Sequence, residues 1–237
     1  MLPSVGAAVE VLVGVLRAGG RLFYVGAGTS GRMGLLDAAE LPPTFGIDPE
    51  RVQGVLAGGV AALERAVEGA EDRGGDAAAE LRRRGLGAGD AVLAISASGR
   101  TPFAVSGLRE ARRAGAAALA LTCDPRSPLA READLAISVE VGPEVIAGST
   151  RMKGGLAQKM VLHLLSTATM VRLGRVHGNR MAHLRPVSAK LRRRAREIVA
   201  LAGGIPGEEA ARLLADHGGD VPRVLALLRD RAERGAG

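Results

Sequence analysis

The sequence predicts an α/β protein: a parallel five-stranded sheet flanked by helices, with a small helical domain at its C-terminal end. Three features of the 237 residues lead there. Short β-type runs recur five times, Ala- and Arg-rich segments of helical composition separate them, and glycines cluster just after several of the runs. Strands that are apolar throughout are buried on both faces, as in a parallel sheet covered by helices on each side.

The runs fall at 21–25, 52–56, 91–95, 117–122 and 135–139. A helix opening at Gly31 is expected to end at Glu40, because Leu41-Pro42-Pro43 follows and proline lacks the N–H that a helix interior needs. Glu64, Glu68 and Glu71 stand at i, i+4 and i+7, the spacing of a solvated acidic helix face. The segment 158–172 reads as a long helix in which Met160, Leu164, Thr167 and Val171 recur at helical spacing, predicting a core or interface face. Segments 188–202, 207–216 and 221–231 read as tail helices, separated by Gly203-Gly204 and His217-Gly218-Gly219. The predicted division is a ligand-binding domain over 1–187 and a helical domain over 188–237.

Apolar residues make up 47% and charged residues 24%, which excludes disordered, collagen-like and disulfide-stapled classes. No apolar run approaches membrane-spanning length, and Met-Leu-Pro-Ser carries no basic flank of a leader, so a cytoplasmic protein away from membranes is expected. Cys123, the single cysteine, excludes an intramolecular disulfide and a multi-thiolate zinc site and is expected to be a buried small hydrophobe. The net charge of +7 is unevenly spread: residues 1–150 carry 15 basic and 18 acidic side chains, whereas 151–196 carry 12 basic and none acidic. That basic stretch has no aromatic residue on which bases would stack and no recognisable reading element, so nucleic acid is not the expected partner.

In an open parallel sheet, ligands bind beyond the carboxyl ends of the strands. Gly26-Ala27-Gly28-Thr29-Ser30-Gly31 follows the first strand and opens a helix, matching the dinucleotide pattern Gly-x-Gly-x-x-Gly. The acidic residues at dinucleotide spacing, Asp48 and Glu50, precede the second strand, however, and no Gly-Lys-Ser/Thr of a Walker loop follows. The hydroxyls of Thr29 and Ser30 beside the positive end of a helix suit a compact phosphate. Ser96-Ala97-Ser98-Gly99-Arg100-Thr101 repeats the arrangement after the third strand, and two such loops favour one small phosphoester. Histidines 163, 177, 183 and 217 show no metal-ligand spacing, so neither a metal nor another cofactor is expected. Ser30 and Ser98 lack the Gly-x-Ser-x-Gly frame of a nucleophile.

The segment Gly26-Ala-Gly-Thr-Ser-Gly-Arg-Met-Gly-Leu-Leu-Asp-Ala-Ala-Glu-Leu-Pro-Pro-Thr-Phe45 resembles the signature of the N-acetylmuramic acid 6-phosphate etherases, members of the sugar isomerase domain superfamily. In order, Ala57-Gly-Gly59, Ala66-Val-Glu-Gly-Ala-Glu-Asp72, Ala97-Ser-Gly-Arg-Thr-Pro-Phe103, Val141-Gly-Pro-Glu144, Gly148-Ser-Thr-Arg-Met-Lys153, Ala157-Gln-Lys159 and Met170-Val-Arg-Leu-Gly-Arg-Val-His-Gly-Asn179 are also similar. The resemblance implies cleavage of a lactyl ether in a phosphorylated amino sugar by elimination and water addition, with no metal, in a homodimer. It places the two catalytic glutamates at Glu40 and Glu71, and the phosphate on Gly28, Thr29, Ser30, Ser98, Gly99, Arg100 and Thr101. One acid and one base suffice, and carboxyl groups fill both roles.

Departures from the family pattern are specific. Family members carry a longer segment before the first strand, Ala39 and Leu41 replace a serine and a cysteine, and Asn179-Arg-Met-Ala-His183 and Val187-Ser188 differ from the usual residues. These departures keep two alternatives open: a non-catalytic sugar-phosphate sensor like the related glucokinase regulatory proteins, and an aldose–ketose phosphate isomerase using a glutamate base.

Overall fold

A computed structural model describes residues 1–184, 186 and 188–235; Val187, one of the altered positions above, lies outside the described residues. The chain divides into two compact units, Met1–Glu40 with Asp48–Leu173, and Leu41–Ile47 with Gly174–Gly237.

The first unit is a parallel α/β layer structure. Strands β1 (Leu22–Gly26), β2 (Val52–Leu56), β3 (Ala91–Ile95), β4 (Ala117–Thr122) and β5 (Leu135–Ser138) lie in the order β2-β1-β3-β4-β5. All pairs are parallel. Helix α1 (Leu2–Arg17) precedes them, and its buried residues Val5, Ala8, Val9, Leu12, Val13 and Leu16 trace one face at three- and four-residue spacing. Helices α2 (Gly28–Phe45), the short α3 (Ala61–Glu64), α4 (Gly74–Arg83), α5 (Pro102–Arg113), the short α6 (Pro128–Glu132) and α7 (Lys153–Arg172) complete the layers.

Strands β1, β3 and β4 are buried almost throughout because both faces are covered. On one face Phe23, Val25, Val92, Ala94, Ala118 and Ala120 pack against Ala77, Leu81, Phe103, Leu108 and Leu129 of α4, α5 and α6. On the other, Gly34 of α2 lies against Tyr24 and Ile95, and α1 packs on α7. Truncating a fully buried Leu93 to alanine is worth about 3 kcal/mol in such a setting.

Register puts the functional edge in one plane. Gly26 is level with Leu56 on one side and Ile95 on the other, and Ile95 with Leu121, so the loops after β1, β2, β3 and β4 leave the sheet together. Strand order reverses between β1 and β3, and such a switch point opens a crevice for a ligand.

Two expectations are corrected, and for α7 the core half of the core-or-interface reading is set aside. Pro42 and Pro43 do not break α2: proline's own φ is helical, the chain continues to Phe45, and the last turn closes by Gly46 N–H to the Pro42 carbonyl before Gly46 turns away at φ +63. Glu40 therefore sits inside α2, which begins at Gly28. Glu64, Glu68 and Glu71 share no helix, since α3 stops at Glu64 and Gly69, at φ +69, leads into a separate 3-10 turn, Ala70–Asp72. Met160, Leu164 and Val171 are 67%, 44% and 50% exposed, and the face of α7 buried in this chain carries Val161, Leu162, Leu165, Thr169 and Met170.

In the second unit α8 (Ala189–Gly203), α9 (Gly207–Asp216) and α10 (Val221–Gly235) enclose Ala195, Ile198, Val199, Ala210, Leu214, Val221 and Val224. Ser188 caps α8 by accepting the Leu191 N–H, and Gly204 ends it in the left-handed conformation. A groove of about 660 Å³ in this unit, lined by Pro186, Arg193, Arg196 and Leu214 among others, holds none of the candidate site residues. Among the described residues no helix is long and apolar enough to cross a membrane.

Candidate active site

The loop after β1 is set by three glycines. Gly28 starts α2 at φ +53, a conformation that a side chain disfavours. Gly26 and Gly31 approach so closely that a Cβ on Gly31 would lie 2.4 Å from the Gly26 carbonyl oxygen. The Gly-x-Gly-x-x-Gly spacing is thus met by tight packing of the first turn of α2 on β1. Thr29 is half-buried; Ser30 is buried, and its hydroxyl donates to Gln158 Oε1 at 2.9 Å.

The loop after β3 is organised by its own hydroxyls. Ser96 Oγ accepts the Gly99 N–H at 3.0 Å and lies 3.0 Å from Thr101 Oγ1 and 3.4 Å from Ser98 Oγ. Thr101 is the N-cap of α5, yet its side chain makes no capping bond, being turned into the loop instead. Ser98 is exposed and its Oγ also accepts the Arg100 N–H at 3.3 Å. The Arg100 guanidinium is directed elsewhere, to Asp124 Oδ2 at 3.0 Å.

The start of α7 meets both loops. A Cβ on Gly155 would stand 3.0 Å from Thr29 Cγ2, and one on Gly154 3.2 Å from Ala97 Cβ. Glu144 caps this helix by accepting the N–H groups of Lys153 at 3.0 Å and Gly154 at 2.9 Å. Those backbone donors, Gly154 first, hold the Glu144 carboxyl below the ordinary carboxylate range. Cys123, which follows β4, is half-buried; burial first, and then the nearby Glu144 charge, pushes its thiol up, in keeping with an inert residue.

Of the two candidate carboxylates, Glu71 is exposed on its 3-10 turn and lines a cleft of about 160 Å³ together with Gly28, Arg32, Ala57 and Val67. The first loop and Glu71 are thus brought together. Glu40 is exposed on α2 and does not line that cleft. At 1.5 Å per residue it stands about 18 Å along the helix from Gly28.

A buried polar cluster went unmarked in the sequence. Asp37, 1% exposed, accepts hydrogen bonds from Tyr24 Oη at 2.7 Å, Ser166 Oγ at 2.9 Å and His163 Nδ1 at 2.7 Å. His163 Nε2 lies 2.7 Å from Lys159 Nζ. Burial raises the Asp37 carboxyl against the opposing effect of its donors, and burial beside Asp37 raises the Tyr24 phenol well above its usual value. Gln158, also 1% exposed, has an Nε2 without a partner. No local pattern marked it, since Asp37 and His163 lie on helices that also carry Arg32, Glu40, Lys153 and Lys159. No cluster of three or more His, Cys, Asp or Glu suited to a metal occurs among the described residues.

Comparison with known proteins places the fold. Residues 4–112 match the family model "Glucokinase regulatory protein N-terminal SIS domain" and residues 75–172 the SIS domain model. A phosphoheptose isomerase from Francisella tularensis superposes with a TM-score of 0.54 at 22% identity, covering 71% of this chain and 86% of that one. The sugar isomerase domain of an RpiR transcription factor from Sphaerobacter thermophilus gives 0.53 at 21%, covering 74% and 82%. These similarities define an α/β protein of the SIS-domain class.

Closer relatives narrow the class. The N-acetylmuramic acid 6-phosphate etherase of Symbiobacterium thermophilum is 53% identical over 227 residues, 96% of this chain and 75% of its own. That of Mycolicibacterium smegmatis is 50% identical over 228 residues, 96% and 76% respectively. The chain belongs to the N-acetylmuramic acid 6-phosphate etherase family.

Proposed function

We propose that this protein is a carbon–oxygen lyase that cleaves the lactyl ether of N-acetylmuramic acid 6-phosphate, giving N-acetylglucosamine 6-phosphate and D-lactate. The carrying observation is 53% identity over nearly the whole chain to an etherase, with both hydroxyl loops and both glutamates present. In the open-chain sugar the C2 proton is acidic because it lies beside the aldehyde. One carboxylate removes it, the electron pair moves toward C1 and returns to expel lactate from C3, and a carboxylic acid protonates the departing oxygen. Water then adds at C3 and the proton returns to C2, so the balance is substrate plus water to the two products.

Glu40 is assigned as the acid that assists lactate departure and Glu71 as the group that moves the C2 proton. Gly28, Thr29, Ser98, Gly99 and Thr101 hold the phosphate with the first-turn N–H groups of α2 and α5. Ser30 and Arg100 belong to the same loops, with Ser30 anchoring its loop through Gln158 and Arg100 shaping the rim through Asp124.

Two observations support a homodimer with the site at its boundary. The α7 face bearing Leu156, Met160, Leu164 and Val171 is apolar and exposed, as is Leu36 one turn before Glu40 on α2. The separation of Glu40 from the Glu71 cleft also favours carboxylates drawn from two copies. The phosphorylated substrate suits a cytoplasmic enzyme.

Purified protein given N-acetylmuramic acid 6-phosphate is expected to release D-lactate, and Glu40→Gln to slow release by about 10²-fold or more. An unchanged rate in that variant overturns the chemistry. The match to the glucokinase regulatory protein domain model gives a second reading, a sugar-phosphate sensor. Calorimetric binding without turnover would establish it.

A further inference from the structure

The mechanism above leaves one charge unattended. Removing the C2 proton places negative charge on the C1 oxygen, and the two glutamates are committed elsewhere: the one that has taken the C2 proton keeps it for return to C2, and the other is occupied with lactate. Fixed donors aimed at such an oxyanion are commonly the largest single contribution to a barrier reduction.

Lys159, on the helix that packs against the first loop, can supply such a donor. Helices α2 and α7 run side by side in the same direction, as three pairings show: Thr29 against Gly155, Ser30 with Gln158, and Asp37 with His163 and Ser166. The Lys159 backbone is one helical turn beyond Gly155, and its ammonium, bonded to His163 a turn further on, lies about 6–12 Å along the seam from the level of Thr29. That is comparable to the reach from the phosphate to the reacting end of a hexose phosphate. The residue is half-buried, so its head group is neither in bulk water nor sealed inside.

The head group is also held. Lys159 Nζ lies 2.7 Å from His163 Nε2, and His163 Nδ1 lies 2.7 Å from the carboxylate of Asp37. An ammonium has only protons to offer, so Nζ donates to Nε2 and the ring's other nitrogen donates its N–H to Asp37. Asp37 is fixed in turn by Tyr24 and Ser166. One ammonium proton is spent on His163, and two remain. Both ring nitrogens of His163 are engaged, which leaves the imidazole no free position from which to act as acid or base itself.

We propose that Lys159 is a further substrate-contacting residue of this reaction, its ammonium holding the C1 oxyanion formed on C2 deprotonation, with His163 and Asp37 as positioning residues. No proton is transferred from lysine: it donates hydrogen bonds while the electron pair rests on C1 oxygen, and they weaken as the pair returns to expel lactate. The inference rests on the etherase reading.

The test is steady-state kinetics with N-acetylmuramic acid 6-phosphate, together with deuterium incorporation at C2 in heavy water. Lys159→Met is expected to lower kcat by about 10²-fold with KM changed less than about 3-fold, and to slow deuterium incorporation in parallel. Lys159→Ala is expected to regain activity with added ethylammonium, which guards against a folding artefact. His163→Leu is expected to lose about 10-fold in kcat, and His163→Gln, which keeps a donor and an acceptor, to lose less. If wild type releases D-lactate and Lys159→Met keeps its kcat, or raises KM alone, the oxyanion role is wrong. If wild type releases none, the etherase reading fails and this inference with it.

Discussion

Ser30 of α2 donates its hydroxyl hydrogen to Gln158 Oε1 of α7 at 2.9 Å, tying the loop after β1 to a helix 128 residues away in sequence. Both groups are nearly excluded from water, and Gln158 Nε2 has no partner at all. Ser30→Ala would leave the whole amide unpaired and is expected to cost about 1–3 kcal/mol. Adding Gln158→Leu should recover much of that loss, because removing both partners of a buried bond is cheaper than removing one. Denaturant unfolding of the two single variants and the double variant measures it. Simple addition of the two losses would show that the bond does not hold the loop.

A site shared between copies makes a sharp prediction. In mixtures of Glu40→Gln and Glu71→Gln protein, a heterodimer whose centres each draw one carboxylate from either chain contains one intact centre. After equal mixing and exchange, half of the dimers are mixed, so activity should return to about a quarter of wild type. Centres built within single chains give no recovery. D-lactate release after mixing distinguishes the two arrangements.

The second loop is expected to act on binding more than on turnover. Ser98 is exposed at the loop rim, whereas Ser96 is buried and braces Gly99 and Thr101. Ser98→Ala should therefore raise KM by about 10-fold, the loss of one charged-group hydrogen bond, and leave kcat nearly unchanged. Ser96→Ala should lower thermal stability as well, because the Gly99 N–H and Thr101 hydroxyl lose their common partner. An equal fall in kcat for Ser98→Ala would move that residue from anchoring to chemistry.

The sheet was legible because its central strands are short apolar runs, 91–95 and 117–122, and these appear with the expected limits, as does the less apolar 52–56. Both loops were legible for the same reason, each being a hydroxyl cluster directly after a buried strand. The orientation of α7 was not. Leu and Met occur on both of its faces, so spacing could not say which face this chain buries: Val161, Leu162 and Leu165 are buried, while Met160 and Leu164 are exposed. Helix α1 carries a regular apolar stripe that signals a helix, but Gly6 and Gly14 interrupt its composition. The Asp37–His163–Lys159 chain was hidden because its members meet across 126 residues, a relation set by packing and by no local pattern.

Acid stability should report on a second long-range pair. Asp90 receives Arg21 Nη2 at 2.7 Å, the Arg21 N–H at 2.8 Å and the Gly87 N–H at 3.0 Å. Burial pushes this carboxyl up, but the guanidinium and the two backbone donors outweigh it and hold it below its ordinary value of 3.8. A depressed folded-state value contributes stability that is fully present above the unfolded value, near pH 4, and lost as pH falls through the folded one. Asp90→Asn is expected to cost about 2 kcal/mol at pH 7. The stability curves of wild type and variant should converge on acidification below pH 4 or so, and a constant gap would mean that the charge is irrelevant.

Gly28 and Gly31 belong to one motif but are required for different reasons, and their alanine variants should differ. Around Gly28 nothing lies within 4 Å of an added Cβ, so Gly28→Ala meets only the strain of φ +53, worth about 1–2 kcal/mol. Gly31→Ala needs no unusual φ, yet its Cβ would lie 2.4 Å from the Gly26 carbonyl oxygen and 2.6 Å from Leu56 Cδ1. The oxygen is fixed in the ladder, accepting the Ala57 N–H at 3.0 Å, so α2 itself must shift away from β1. That overpacking is expected to cost more than about 3 kcal/mol. It also moves Thr29 against Gly155, so Gly31→Ala should lose phosphate-ester affinity, whereas Gly28→Ala keeps most of it. Thermal unfolding and substrate titration of both variants decide the matter, and equal losses would show that backbone strain, and not close approach, governs the first loop.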